Sequence, residues 1–539
     1  MAGNSPQFVL GSDIGTGSCK TVLLDAAGRV VAAADQAYPT RQPQPGWAEQ
    51  DPEAWYAAFC RTTRRALTDS AIQAGQIVAV CIAGVTHNPV LLDADGRLLR
   101  PAIHFWDKRS VAQAAQIQEK WGSEVRRRAL NDVDPLWTWP QLLWLRQNEP
   151  DVWRRIAALQ FPKDYVRQRL GQGRPEGRGL SDTIDPAGTL LYDPRRREWI
   201  ADFVADLGLP LSALPIPHRT LAFVDRVGRP GARECGLLAG TPIIAGATDT
   251  AAEVLGAGAL RPGQAIVKLA SVGRLMLVMD RPLDQPHSLN YPHVLDGLWY
   301  PGSVTKHGAG AYRWARQALW PDAPAGHPYR AMDRAAAMVN PGCDGLVFLP
   351  HLSGEYAPQW DPELRASFVG LTTAHRREHL TRAVLEGVAM QIRAALGQIV
   401  AAGGRYDEVR LIGGGANSAL WAQIMADVLN RDLLAPVERS AAYGAGLLAG
   451  MAAGLYPPEP AELAPLIRLQ APYRPQPETA AFYRHLFDLY LEASRSLTPV
   501  VHRLERLDIS TKSTSTIEGV ANTTESPTFS IEQSEVYDG

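Results

Sequence analysis

The sequence is short of charge imbalance, of paired cysteine and of long apolar runs, and each lack removes a class of protein. Lys and Arg number 54 against 56 Asp and Glu, a formal net charge of −2. A chain so balanced has no electrostatic footprint for nucleic acid or for a strongly acidic partner. The five cysteines, Cys19, Cys60, Cys81, Cys235 and Cys343, are scattered and include no C-x-x-C. An odd, dispersed set excludes a disulfide framework and a thiolate zinc site, and reads as free thiols in a reducing, cytoplasmic compartment. Met1 to Pro6 lack the basic and apolar regions of a signal peptide. No G-x-x-x-x-G-K-[ST] follows a strand, so a P-loop is excluded. Ser440 to Pro457 is long and uncharged, with Gly446, Gly450 and Gly454 at GxxxG spacing. Its apolar residues are mostly Ala and Gly, which fits a buried, closely packed helix better than a membrane span.

What is present begins with a loop. Asp13-Ile14-Gly15-Thr16-Gly17-Ser18-Cys19-Lys20 sits between the apolar runs Phe8–Leu10 and Val22–Leu24, and a third run, Val30–Ala32, follows the turn at Gly28. That pattern predicts strand, tight loop, strand, turn, strand. Small residues and hydroxyls let backbone N–H groups close around an anion, and Asp13 is placed to hold a hydrated cation such as Mg2+. An ordinary hairpin with a Gly-rich bend is the other reading. The pattern returns in Ala265–Val267, the bend Ala270-Ser271-Val272-Gly273, and Leu275–Val278. With 539 residues, too many for one core, the repeat indicates two large, duplicated domains meeting near Ala257 to Arg261.

Between these landmarks, Pro52 suits the first turn of a helix through Trp55, Phe59 and Leu67. Gln76–Gly84 reads as a buried strand, and Val90–Leu92 with Leu98-Leu99 as a hairpin. Pro140–Arg146 and Asp151–Leu159 read as helices, and Gly171–Gly179 as a loop. Thr241–Leu255 predicts strand, turn and helix, with Asp249 at the turn. Leu380, Val384, Val388, Ile392, Leu396 and Ile399 mark one face of a long helix. Val409–Ile412 is a strand opening into Gly413-Gly414-Gly415-Ala416-Asn417-Ser418, before a helix over Leu420–Leu429. From Ile509 on, the Ser/Thr/Glu-rich sequence predicts a disordered tail.

Several side chains admit two readings. Asp249 is either a helix cap or a general base that takes the proton of an attacking hydroxyl in phosphoryl transfer. The triple glycine is a flexible turn or a place where a flat ligand or phosphate nears the backbone. His87, in Val85-Thr86-His87-Asn88, is a hydrogen-bonded structural histidine or a ligand. Asp107 and Arg109 form a surface ion pair, or, facing a cleft, bind sugar hydroxyls beside Trp106.

Taken in order, these pieces resemble the FGGY family of carbohydrate kinases, most closely its xylulose kinase branch. The stretches that carry the resemblance are Asp13–Lys20, Gly46–Trp55, Leu91–Arg109, Pro140–Pro150, Pro162-Lys163-Asp164-Tyr165, Ala187-Gly188-Thr189, Gly246–Gly256, Leu349–Pro358, Arg382–Arg393 and Leu411–Leu429. The resemblance implies an α/β fold of two ribonuclease-H-like lobes of the actin/hexokinase kind with a central cleft. Residues 1–257 would form the sugar-binding lobe, 258–508 the nucleotide-binding lobe and 509–539 the tail. It implies ATP and Mg2+, with Asp249 as catalytic base and Asp13 and Asp249 near the metal. Thr16, Gly17, Ser18, Lys20 and Ser271 would line the phosphates, and Gly414, Gly415, Ala416 and Asn417 would lie under the nucleotide. Thr86, His87 and Asp107 fall at sugar-contacting positions.

The expected acceptor is a small ketose or polyol, with D-xylulose first and ribulose, erythritol or a signalling sugar as alternatives. A sensor that binds without turnover is the rival class. A homodimer is compatible with the resemblance; a membrane or nucleic-acid partner is not implied. The chain departs from the family at Val85-Thr86-His87-Asn88, where xylulose kinases read Gln-Met-His-Gly. It departs again at Phe105-Trp106-Asp107, against Trp-Asn-Asp, and at Ala270-Ser271-Val272-Gly273, against Gly-Thr-Ser-Gly. Kinase chemistry survives these changes, and the sugar is what they put in question.

Overall fold

The two expected hairpins each begin a mixed sheet of the same design. A computed structural model describes residues 6–171, 179–324 and 326–507. In the first sheet, β1 (Phe8–Ile14), β2 (Ser18–Leu24) and β3 (Val30–Ala37) run antiparallel, and β4 (Ile77–Gly84) lies parallel to β1 on its other side. Two further strands, β5 (Phe223–Arg226) and β6 (Pro242–Ile244), complete the order β5-β6-β4-β1-β2-β3. In the second sheet, β7 (Gln264–Leu269), β8 (Gly273–Leu277) and β9 (Gly302–Thr305) are antiparallel. Strand β10 (Glu408–Ile412) runs parallel to β7, and β11 (Leu433–Leu434) parallel to β10. The order β9-β8-β7-β10-β11 repeats β3-β2-β1-β4-β6. The fold is therefore α/β, with two lobes of the actin/hexokinase kind.

Local chemistry explains the principal helices. Helix α1 (Pro52–Ser70) starts where Pro52 occupies the first turn and the Asp51 side chain accepts from Glu53 N. Helix α2 (Asp249–Gly256) is capped by the Thr248 hydroxyl, which accepts from Ala251 N at 3.2 Å. Asp249 is thus the first helical residue and Thr248 the cap. Helix α3 (Arg377–Ala401) buries Val384, Val388, Ile392 and Leu396 at the centre of the second lobe. It is long and apolar enough to cross a membrane, but it forms a buried spine. The glycine-rich turn Gly414–Asn417 leads into α4 (Ala419–Leu429), capped by Ser418.

The uncharged stretch folds as α5 (Ala441–Ala452), and its residues belong to the core of the first sheet. Its glycines serve close packing. A Cβ on Gly11 of β1 would lie 2.1 Å from Ala442 O, and one on Gly444 would lie 1.9 Å from Ala252 O in α2. The chain thus returns from the second half to brace the first, which sequence periodicity alone did not indicate.

Asp151–Leu159 is not one helix: Pro150–Trp153 makes a single turn, and Ala158–Gln160 is a strand paired antiparallel with Val90–Leu92. A short apolar run does not distinguish helix from strand, and here an available strand partner decides. The tail expected from Ile509, and most of the loop Gly171–Gly179, lie outside the described residues. All five cysteines are free and buried. Gly11→Val should overpack the β1–α5 contact and cost about 1–3 kcal/mol or more, read as a lower urea midpoint; an unchanged midpoint would refute the contact.

Candidate active site

Three elements converge on Asp249. The β1–β2 bend supplies the first. Its carbonyls are tied back, that of Gly15 accepting from the Tyr38 hydroxyl, that of Gly17 from Tyr38 N at 3.0 Å, and that of Thr16 from Gln50 Nε2 at 2.7 Å. The amides of Thr16 and Gly17 have no protein partner among the described residues, which leaves donors of the kind an anion needs. Ser18 begins β2, and Lys20 pairs with Asp13 across the hairpin. Asp13 Oδ1 is enclosed without a hydrogen-bond partner. Burial pushes the Asp13 carboxyl well above the usual carboxylate range, and Asp249 and Glu253 add to the effect. Three carboxylates here want positive charge.

The second element is α2. Asp249 Oδ1 accepts from Thr250 N at 2.5 Å, from the Thr250 hydroxyl at 3.1 Å and from the Thr86 hydroxyl at 3.4 Å. One turn on, Glu253 takes Lys268 Nζ at 2.7 and 2.6 Å. The third element is the second bend. The carbonyl of Ser271 accepts from Gly308 N and Gly310 N at 3.1 Å, and its hydroxyl accepts from Arg313 Nη2 at 2.7 Å. Across the sheet, Gly414 and Asn417 are exposed while Gly415 and Ala416 are buried. A Cβ on Gly415 would meet the Leu269 side chain at 2.7 Å, so this glycine lets the turn lie against β7. Asn417 Oδ1 accepts from Arg439 Nη1 at 2.8 Å.

Thr86 and His87 lie at the end of β4. His87 is held at φ 52°, its N–H donating to Asp185 Oδ1 at 2.7 Å and its carbonyl accepting from the Thr138 hydroxyl at 2.6 Å. Asp185 belongs to a buried network that the sequence did not reveal. Lys163 Nζ reaches Asp164 and Asp182 at 2.7 Å and Asp185 at 3.7 Å. Burial alone would depress the Lys163 ammonium, but the three carboxylates outweigh it and hold it above its ordinary value. The motifs Pro162–Tyr165 and Ala187–Thr189 thereby gain a physical role: they clamp His87, whose ring would collide at 2.4 Å with a Cβ on Gly188. Asn88 and His104, both fully buried, have side-chain polar atoms with no partner among the described residues.

Asp107 is placed differently from the other expected sugar-end residues. It is enclosed, its oxygens accepting from Arg109 N, Nε and Nη2 at 2.8 to 2.9 Å and from Ala48 N. Arg109 also pairs with Glu49 at 2.8 Å and lies 3.7 Å over the Trp47 ring. The pair is therefore buried, correcting the surface-pair reading, and it has no free oxygen to offer a sugar. Trp106 is partly exposed beside it.

The profile of the N-terminal domain of the FGGY family of carbohydrate kinases matches residues 8–256, and that of the C-terminal domain residues 273–453. The chain belongs to that family. Such enzymes are ATP-dependent sugar kinases, and this chain is one. It is 32% identical to the xylulose kinase of Escherichia coli over 499 residues, 91% of this chain and 99% of that one. The crystal structure of xylulose kinase from Rhodospirillum rubrum superposes with a TM-score of 0.83 at 29% identity, covering 92% of this chain and all of the other. Gluconate kinase from Lactobacillus acidophilus gives 0.84 at 25% identity, covering 93% and 100%.

The imidazoles of this FGGY kinase carry a pH signature. Burial pushes His87 and His104 down to about 3, far below the ~6.5 of an unfolded chain. Below that value the unfolded chain binds the extra protons, so the stability these groups contribute is full above about pH 6.5 and is lost as pH falls toward 3. Urea midpoints should decline from pH 6.5 to 4, and His87→Gln should remove about one proton of that dependence. Identical slopes in both proteins would contradict the assignment.

Proposed function

We propose that this kinase transfers the γ-phosphoryl group of ATP to a terminal hydroxyl of a small ketose or polyol, with D-xylulose the leading acceptor. The observation that carries the reading is the position of Asp249. Its carboxylate is hydrogen-bonded to Thr86 of the sugar-end segment and stands at the start of α2, where the two bends converge. A carboxylate there receives the proton of the attacking hydroxyl as the new O–P bond forms and the bond to ADP breaks. The amides of Thr16 and Gly17 with Lys20 and Ser271 flank the phosphates, and the Gly414–Asn417 turn underlies the nucleotide.

Mg2+ fits the acidic pair. Asp13 has an enclosed oxygen without a partner, and among the described residues no cluster of three or more ligating side chains exists. Mg2+ suits such a site because it is held by one or two carboxylates together with nucleotide phosphates. Bound there between Asp13 and Asp249, it would neutralise phosphate charge.

The likeness to xylulose kinases over nearly the whole chain supports the five-carbon ketose. The sugar end also favours a neutral acceptor over a sugar acid. Asn88 and His104 offer uncharged donors and acceptors, His104 being neutral well below pH 7, and these match hydroxyls. A coupled ADP-release assay across ketoses, aldoses, polyols and aldonates tests the substrate, and turnover confined to aldonates would refute it. Asp249→Asn should lower kcat by about 10²–10⁴ while MgATP affinity stays within about threefold, measured by calorimetry. Activity within tenfold of wild type would show that Asp249 is not the base.

A further inference from the structure

Lys20 has a counterpart in the second lobe. In the first hairpin Asp13 faces Lys20 at the second residue pair back from the bend; in the second hairpin Lys268 faces Arg274 at the same step. Residues paired across strands, and those two positions along, share a sheet face. Arg274 therefore shares its face with Ile266 and Met276, which lie in the core that also holds α2 and α5. That face looks toward the first lobe.

The surroundings of Arg274 are specific. Its Nη1 donates to the Thr250 hydroxyl at 3.2 Å, and that hydroxyl lies 3.1 Å from Asp249 Oδ1. Its positive charge is felt at His87, Glu253 and Lys268. Lys268 is matched by Glu253 at 2.6 Å, but no carboxylate lies within ion-pair distance of Arg274 among the described residues, and its side chain is only partly covered. A cation without an anion, one hydroxyl away from the proposed base, is explained by a charge that arrives with the substrates. A neutral ketose brings none; the phosphoryl group does. The Ser271 hydroxyl accepts from Arg313 and keeps its proton for a phosphate oxygen, and Arg274 adds the charge that a hydroxyl lacks.

We propose that Arg274 is a catalytic residue of this chain, its guanidinium contacting the non-bridging oxygens of the phosphoryl group in flight, across from Lys20. The proposal rests on the kinase reading above. As the bond to ADP breaks, charge spreads over those oxygens, and a preorganised guanidinium stabilises that state more than the ground state.

Two measurements on the full chain test it, with Arg274→Met and Arg274→Lys. The first is steady-state kinetics with every acceptor that the wild type phosphorylates. Arg274→Met should lower kcat at least about a hundredfold for all of them, with acceptor and ATP KM within about threefold, and Arg274→Lys should recover at least about tenfold of the loss. A loss confined to the KM of particular acceptors would make Arg274 an acceptor-specificity residue and overturn the proposal. The second needs no acceptor: capture of MgADP with aluminium fluoride, a mimic of the planar phosphoryl group. Arg274→Met should weaken this capture about a hundredfold and leave MgADP binding unchanged; equal capture by both proteins, or none by the wild type, overturns it. A wild type that captures the mimic but phosphorylates none of the acceptors would sink the substrate reading alone.

Discussion

Helices α2 and α5 touch backbone to backbone, and most of the catalytic geometry depends on that contact. Gly444 leaves no room for a side chain against Ala252, and Gly446 and Gly11 let the same helix settle on β1. This packing fixes the start of α2, and hence Asp249, against the strand that carries Asp13. Because α5 is contributed by the second half of the chain, it also ties the two halves together beneath Asp249.

Electrostatics then organises the floor of the cleft. Asp13, Asp249 and Glu253 gather there, with Lys268 paired to Glu253 and Arg274 reaching the Thr250 hydroxyl beside Asp249. Further out, the Lys163 network spends its charges on holding the backbone of His87 in a left-handed conformation that an unconstrained histidine seldom adopts. The two systems are distinct. On the proposed reading, one addresses the phosphate and the other shapes the wall against which an acceptor rests.

Much of this was legible in the sequence, for physical reasons that particular residues show. The hairpin bends announced themselves because small residues interrupt apolar runs, and α3 because its apolar residues recur at helical spacing over six positions. The N-terminus of α1 was visible in Asp51-Pro52. What the sequence concealed was long-range. Nothing local in Ala441–Ala452 says that it belongs to the first sheet, and nothing in Asp107-Lys108-Arg109 says that Glu49 and Trp47 will enclose the pair. The strand Ala158–Gln160 exists because Val90–Leu92 offers it an edge. Arg274 was passed over since an arginine after a glycine bend looks like any surface cation until the register is known.

The central claim is that one carboxylate, at the meeting point of two duplicated lobes, receives the acceptor hydroxyl. The most direct measurement is a crystal structure of the full chain with a non-hydrolysable MgATP analogue and the best acceptor from the assay. The account predicts the terminal hydroxyl oxygen about 3 Å from the Asp249 carboxylate, in line with the γ-phosphorus. An acceptor bound with that hydroxyl turned away from Asp249, or outside the space between the lobes, would contradict it.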